Sequence, residues 1–236
     1  MIAAMEDVDF DWAARLMERR RDVYEPFSPV FWRPARGMKD AHAQFMRGSA
    51  SRAGAVALRT DRGFVLTVPD GGRCFIDDFA VDEDERWMTD GRELLLAAWE
   101  LAQSPGQSLI RVVTARRDDA KRAMLAGLGL DVVGRWWVRA LEASGPASTW
   151  GPVTVGGVDA LIVPAPPVYD PGGPVCLLGD VDGGVAGAAA LDAAALGAVL
   201  AIVQRERAPD EAPATEPELE AAGFHNPSAF YEGVPR

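Results

Sequence analysis

Four residue types are scarce in these 236 residues, and each scarcity closes off chemistry. Two cysteines, Cys74 and Cys176, are too few for a disulfide framework or a cysteine zinc site. Two histidines, His42 and His225, exclude a multi-histidine metal centre, so no metal is expected. Asparagine occurs once, at Asn226, and lysine twice, at Lys39 and Lys121. Long apolar runs are missing as well; none approaches the ~18 residues of a membrane span. The opening MIAAMEDVDF carries early acids and no basic segment, unlike a secretory leader. The expectation is a cytoplasmic protein of a reducing compartment, without membrane contact.

Positive charge is in deficit. Twenty-four basic residues face 35 acidic ones, a net charge of −11. Nucleic acid is therefore not an expected partner, because phosphate contacts need a basic face. Residues 1–145 hold 21 basic and 23 acidic residues, whereas 146–236 hold 3 and 12. Six of the seven tryptophans also precede residue 145. This shift predicts a first domain over 1–142, a linker over 143–152 (ASGPASTWGP), and an acidic region over 153–236. With 22 arginines against two lysines, the choice of base reads as genome composition.

The periodicities give an element order. Residues 9–22 have helical spacing at Phe10, Ala13, Ala14 and Met17, with Asp9 or Asp11 as cap. Residues 24–39, with three prolines and four aromatics, predict an ordered loop, followed by a short helix over 39–47. Runs at 54–60 and 63–68 predict a β-hairpin, and Pro69-Asp70-Gly71-Gly72 leads into a strand over 73–81. Helix is predicted over 91–103, ended by Ser104-Pro105-Gly106, then a strand at 108–114, a helix at 118–128 and a strand at 131–141. The fold class is α/β (α+β), a mixed central sheet with helices on both faces. Further on, 160–163 and 175–181 read as strands. Asp182-Gly183-Gly184 reads as a hairpin turn before VAGAAAL, 193–204 as helix or strand, 208–217 as a proline-rich loop and 217–222 as a short helix. Asp180-x-Asp182-x-Gly184 lacks the later glutamate of a calcium loop, and the two histidines read as hydrogen-bonded residues without a catalytic role.

The segment FIDDFAVDEDERWMTDGRELLLAAW, followed by the strand LIRVVTA and a helix ending at Gly129-Leu130, resembles the Gcn5-related N-acetyltransferase (GNAT) family. Arg86 matches the arginine of the family's glycine turn, Gly91 its last glycine, and Leu94-Leu95 its leucine pair. The C-terminal PVCLLGDVDGGVAGAAAL and ELEAAGF resemble a degenerate second half, with a pocket-closing role and no pyrophosphate turn. The resemblance implies acetyl-CoA as acyl donor, its pantetheine along Phe79, Ala80 and Val81. The pyrophosphate would lie on Arg86, Trp87, Met88, Thr89, Asp90, Gly91 and Arg92, and Asp118 would stand at a further cofactor position. Independently of the family, a turn entering a helix presents free N–H groups and a positive dipole end to a phosphate. Trp87 and Thr89 replace two family glycines, and Asp90 with Glu93 matches a capping box.

Asp77 and Asp78, in an otherwise apolar strand, are the candidate general bases, and alternation sends them to opposite faces. The family's thiolate-protonating tyrosine is absent; its position is Leu125. Tyr24, Phe27, Phe31 and Trp32 are the candidate acceptor pocket, for a small amine. The implied function is an acetyl-CoA-dependent N-acyltransferase. The alternatives are a catalytically silent GNAT-fold binding or regulatory protein and a dimerising scaffold, a homodimer, whose acidic C-terminal half contacts a basic partner.

Overall fold

The computed structural model describes residues 1–103, 107–147, 149–206 and 216–236. The Ser104–Gly106 helix stop, and most of the 208–217 loop, lie outside the described residues. In chain order the elements are β1 (Ala3–Ala4), α1 (Asp9–Tyr24), α2 (Pro29–Trp32), α3 (Met38–Ala50), β2 (Val56–Arg59), β3 (Gly63–Asp70), β4 (Arg73–Ile76), β5 (Phe79–Val81), α4 (Asp90–Ala102), β6 (Leu109–Ala115), α5 (Asp119–Gly127), β7 (Asp131–Ala140), β8 (Gly151–Val155), β9 (Val158–Val163), β10 (Val175–Leu178), α6 (Gly183–Ala195), β11 (Leu200–Glu206), α7 (Glu216–Ala221) and β12 (His225–Gly233). Short 3₁₀ turns occupy Glu25–Phe27 and Asp84–Met88. Two compact units result. The first comprises residues 1–23, 37–132 and 230–236; the second comprises 24–36 and 133–229. The units interleave along the chain, where composition suggested a single cut at 143–152. Residues 151–152 of that expected linker already belong to β8.

In the first unit β1, β2, β3 and β4 pair antiparallel in that order, and β6 runs parallel to β4 with α4 as the crossover. Alternation along β3 sorts its two faces. Phe64 and Leu66 pack with Phe10, Ala13, Ala14 and Leu16 of α1 and with Ala43 and Met46 of α3. On the other side the backbone of Gly63 lies against α4, where an added Cβ would stand 3.3 Å from Leu94. Helices thus cover both faces of a mixed sheet, the class expected from the element order. At the C-terminal strand, Glu232 pairs with Arg111 of β6 at 2.8 Å and with Arg73 of β4 at 3.1 Å.

In the second unit the order is β7, β11, β10, β9, β8, with β10 and β11 parallel and the other pairs antiparallel. The β8–β9 hairpin turns through Gly156 and Gly157, both at positive φ (55° and 79°), the two-residue primed turn that glycine favours. The segment from Asp182 overturns a sequence expectation. Asp182-Gly183-Gly184 is not a hairpin turn; Asp182 caps α6, its Oδ1 accepting from the Val185 N–H at 2.9 Å. The alanines at 186, 189, 190 and 193 are all fully buried, a helical spacing that fits their high propensity. They pack on Cys176, Leu178, Ala201 and Val203. The ambiguous 193–204 stretch is both things in turn: helix to Ala195, a stop at Gly197 (φ 92°), then β11 from Leu200. The order hairpin, strand, helix, parallel strand, helix, strand therefore occurs twice, as β2-β3-β4-α4-β6-α5-β7 and as β8-β9-β10-α6-β11-α7-β12.

Gly183 is where α6 meets α7 most closely; a Cβ there would stand 2.3 Å from the Glu218 carbonyl carbon. Gly183→Ala is expected to destabilise the protein by about 1–3 kcal/mol, the usual cost of overpacking. Gly184→Ala, whose Cβ would meet nothing nearer than Asp182 Oδ1 at 3.5 Å, should be neutral or slightly stabilising. Urea unfolding followed by tryptophan fluorescence would compare the two.

Candidate functional site

The site begins with a register change. Val68 of β3 pairs with Phe75 and Val65 with Phe79, so β3 advances three residues while its partner advances four. The extra residue is a β-bulge at 76–78, which explains why the strand expected over 73–81 is broken there. The Leu66 N–H still donates to the Asp78 carbonyl at 2.9 Å, so the bulged chain stays on β3. It leaves β6 instead. The β4–β6 ladder ends at Ile76 and Val112, and β5 pairs with β3 off that ladder. A gap opens between Phe79–Val81 and Val113–Ala115.

One side chain fills this gap. Lys121, on the first turn of α5, donates from Nζ to the Val113 carbonyl at 3.0 Å and to the Phe79 carbonyl at 3.3 Å. Its ammonium also lies 5.2 Å from the Phe79 ring centroid and 5.3 Å from that of Trp87, within cation–π range. Lys121 is 4% exposed. Burial lowers its pKa to about 8, with Asp118 and Asp77 opposing the shift. The backbone expected to meet pantetheine at Phe79, Ala80 and Val81 is buried, and the Phe79 carbonyl already has this donor.

The bulge separates the two aspartates. Asp78 points inward and is 4% exposed; Asp77 is solvent-exposed. Asp78 Oδ1 lies 2.6 Å from His42 Nε2, and His42 Nδ1 lies 3.3 Å from Arg21 Nη1. A guanidinium only donates, so Nδ1 accepts and the Nε2–H is given to Asp78. Arg21 also reaches Met38 Sδ at 3.1 Å. Burial would raise the Asp78 carboxyl, but the hydrogen bond from His42 and then the charges of Arg21 and Lys121 more than offset it and hold the pKa below the ordinary range. Asp77 moves the other way, raised by surrounding protein and by the adjacent Asp78. Water reaches Asp77, which weakens the burial contribution to that rise. The two neighbouring carboxylates thus differ: Asp78 is buried and hydrogen-bonded to His42, and Asp77 faces solvent.

The turn that follows is built differently from a glycine cradle. Asp84–Met88 forms a 3₁₀ turn with Trp87 fully buried, edge-on to Phe79 at 4.9 Å. The Trp87 ring lies over the start of α4, where a Cβ on Gly91 would stand 2.7 Å from it. Its Nε1–H has no hydrogen-bond partner among the described residues. The expected capping box is absent. Thr89 is the N-cap without a side-chain cap bond, and Asp90 pairs with Arg86 at 3.7 Å instead. Met88 is exposed, and Arg92 donates to the Arg236 carbonyl at 3.4 Å. Asp118 is also committed: it caps α5, accepting from the Lys121 N–H at 3.3 Å, and pairs with Arg20 at 2.8 Å. Arg20 reaches Asp84 as well, at 2.5 Å.

The expected acceptor pocket lies in the second unit. Tyr24, Phe31 and Trp32 are buried in an aromatic cluster with Trp136 and Tyr169, and Phe27 is exposed. In that same unit an open groove of 690 Å³ begins at the capped start of α6, lined by Asp182, Gly183, Gly184, Gly187 and Glu218 among others. Two acids at its rim suit an anion poorly. Among the described residues, no cluster of three His, Cys, Asp or Glu could hold a metal, and no helix is long and apolar enough to cross a membrane.

His42, Arg21 and Lys121 escaped the reading of the sequence. The available signal for Lys121 was its place with Met124, Leu125 and Leu128 on one apolar helical face, an odd position for a lysine in an arginine-rich chain. His42 gave no local signal, because its partner lies 36 residues away.

No family model matches this chain, and no curated protein matches it in sequence. Solved structures match its fold over its whole length. A GCN5-related N-acetyltransferase from Sphaerobacter thermophilus aligns with 100% of this chain and 96% of its own at 13% identity, with a TM-score of 0.58. A proposed acetyltransferase from Thermoplasma acidophilum covers 99% of each chain at 9% identity and a TM-score of 0.59. Another from Pyrococcus horikoshii aligns with 100% of this chain and 89% of its own at 11% and 0.55. The fold is that of the GNAT N-acetyltransferases, as the residues at 73–141 implied.

Asp78→Asn removes the charge that His42, Arg21 and Lys121 surround, and breaking such a buried pair should cost about 3–5 kcal/mol. A carboxylate held below its unfolded pKa stabilises above pH ~4 and loses that contribution as pH falls toward the folded value. The stability difference between wild type and Asp78→Asn should therefore be full near neutrality and shrink below pH ~4. Asp77→Asn should not destabilise the protein. Thermal melts of both variants from acid to neutral pH would check the contrast.

Proposed function

We propose that this chain is an acyl-CoA-dependent N-acyltransferase acting on a small amine, with Asp77 as the proton acceptor. The observation that carries the reading is the bulge. In a GNAT fold, it leaves a solvent-accessible carboxylate of raised pKa beside the gap where β5 leaves β6. That gap suits an amide-bearing arm in kind, because β5 and β6 do not pair across it and their Phe79 and Val113 carbonyls are bonded there by a side chain, Lys121, in place of a strand. Bound there, the thioester supplies an activated acyl group. Asp77 takes the proton from the incoming amine, since a carboxylate of raised pKa is a better base near neutrality. Asp78 holds the bulge in place through His42. No tyrosine stands on α5, where Leu125 is fully buried. A thiol of pKa ~8.5 can leave near neutral pH without a dedicated acid. The buried, unpaired Cys74 and Cys176 and the acidic surface support a reducing, cytoplasmic setting.

A second reading, a GNAT-fold protein that binds without catalysing, is favoured by one observation: Lys121 and Trp87 occupy the two places where a coenzyme A arm and pyrophosphate would lie. The experiment is thiol release from acetyl-CoA across a panel of primary amines, with binding measured in parallel by calorimetry. Turnover that falls ~10²-fold in kcat/KM for Asp77→Asn, with binding retained, supports the transferase. Binding without thiol release supports the second reading, and turnover unchanged in Asp77→Asn removes the proposed base.

A further inference from the structure

Two strands that part company leave carbonyls without partners, and buried carbonyls without donors are costly. In the first unit this is solved from within the chain. The Lys121 ammonium spans the gap, taking the Phe79 carbonyl on one strand and the Val113 carbonyl on the other, and the Phe79 and Trp87 rings lie against it. The carboxylates whose charge reaches this ammonium are Asp118 on α5 and Asp77 and Asp78 on the bulge, and Arg20 of α1 opposes it. Asp118 does not depend on the lysine for charge balance, because Arg20 pairs with it at 2.8 Å. The arrangement is thus an ammonium added to an already neutralised acid, positioned by the carbonyls of both strands.

We infer that Lys121 is the residue that closes the strand gap, and that an acyl-CoA arm enters only when this side chain withdraws from the Phe79 and Val113 carbonyls. The inference rests on the acyl-CoA reading above for the identity of the entrant, and on the hydrogen bonds alone for the closure. A lysine suits such a role because its stem is flexible and its donor is a single mobile head, whereas a backbone ladder could not open without moving a strand. The closed state disfavours binding by the free energy of breaking the two bridging contacts, a differential interaction of the kind that sets a conformational equilibrium.

The chain's lysine content makes the test clean. Lys39, with 41% of its side chain exposed, is the other lysine and serves as the internal standard. The wild-type protein is labelled with an amine-acetylating reagent, alone and with saturating coenzyme A, and modification at each lysine is read by peptide mass spectrometry. Lys121→Met is titrated with coenzyme A beside the wild type, its fold checked by circular dichroism and thermal melting. The expected result is slow labelling of Lys121 relative to Lys39 in the free protein, faster labelling once coenzyme A is added, and at least tenfold tighter binding by Lys121→Met. Equal or weaker binding by Lys121→Met, or a Lys121 that stays protected while coenzyme A is bound, overturns the inference. If neither protein binds coenzyme A, the acyl-CoA reading fails by itself. The closure is then decided on the free protein: it stands if Lys121 is protected and falls if Lys121 labels as fast as Lys39.

Discussion

Between Phe75 and Phe79 the first unit carries one residue more than the strand opposite, and most of the chemistry around Asp77 follows from that surplus. A regular strand would have kept β5 on β6 and paired the carbonyls that now need Lys121. It would also have denied Asp78 the turn of backbone that brings it to His42. The bulge is held from beneath by buried charge, with Asp78, His42 and Arg21 in one line drawn from the strand, α3 and α1. Bulges persist where surrounding structure specifies them, and here the specification is a hydrogen-bonded charge network in place of apolar packing.

That network sits among an unusual number of buried ionic groups. Arg20, Arg21, Asp78, Asp118 and Lys121 are each less than a tenth exposed. Each ion taken from water loses solvation worth several kcal/mol, and a pair repays it only with good geometry and full hydrogen bonding. The distances here, 2.6 to 3.3 Å for the contacts within the cluster, meet the geometric part of that requirement. Such clusters contribute little net stability but fix one arrangement against others, because any shift leaves an ion buried and alone. The first unit is accordingly specified in its charges, and the second by the close fit of small side chains along α6.

The legible part of the fold was the part written in local pattern. The helical spacing of α1 and α4, the β2–β3 hairpin and the strand–turn–helix around Arg86 all follow from residues near one another in the chain. What local pattern hid was of three kinds. A bulge needs a partner strand to exist, so 73–81 read as one strand. An Asp-Gly pair serves equally as a primed turn or as a helix cap, and only the burial of the alanines beyond it decides for α6. Pairings such as His42 with Asp78 join distant residues and carry no spacing. Within the site, the two carboxylates were legible and the difference in their surroundings was not, because it depends on which of them the bulge turns inward. Asp118, expected at a cofactor position, caps α5, and Lys121 three residues on, which drew no notice as a site residue in the sequence, fills the gap.

The interleaving of the two units has a consequence in time. The first unit includes residues 230–236, whose Glu232 pairs with Arg73 and Arg111 and whose Tyr231 accepts from Arg122. These residues are synthesised only after the whole of 133–229. At about 5–20 residues per second, the nascent first unit waits roughly 5–20 s for its last strand. Throughout that interval the Glu232 carboxylate that bridges Arg73 and Arg111 in the finished protein has not been made. Newly made chains thus pass through a stage in which the later unit can complete its sheet before the earlier one, and a chaperone or a neighbouring nascent chain would meet β6 as an open edge.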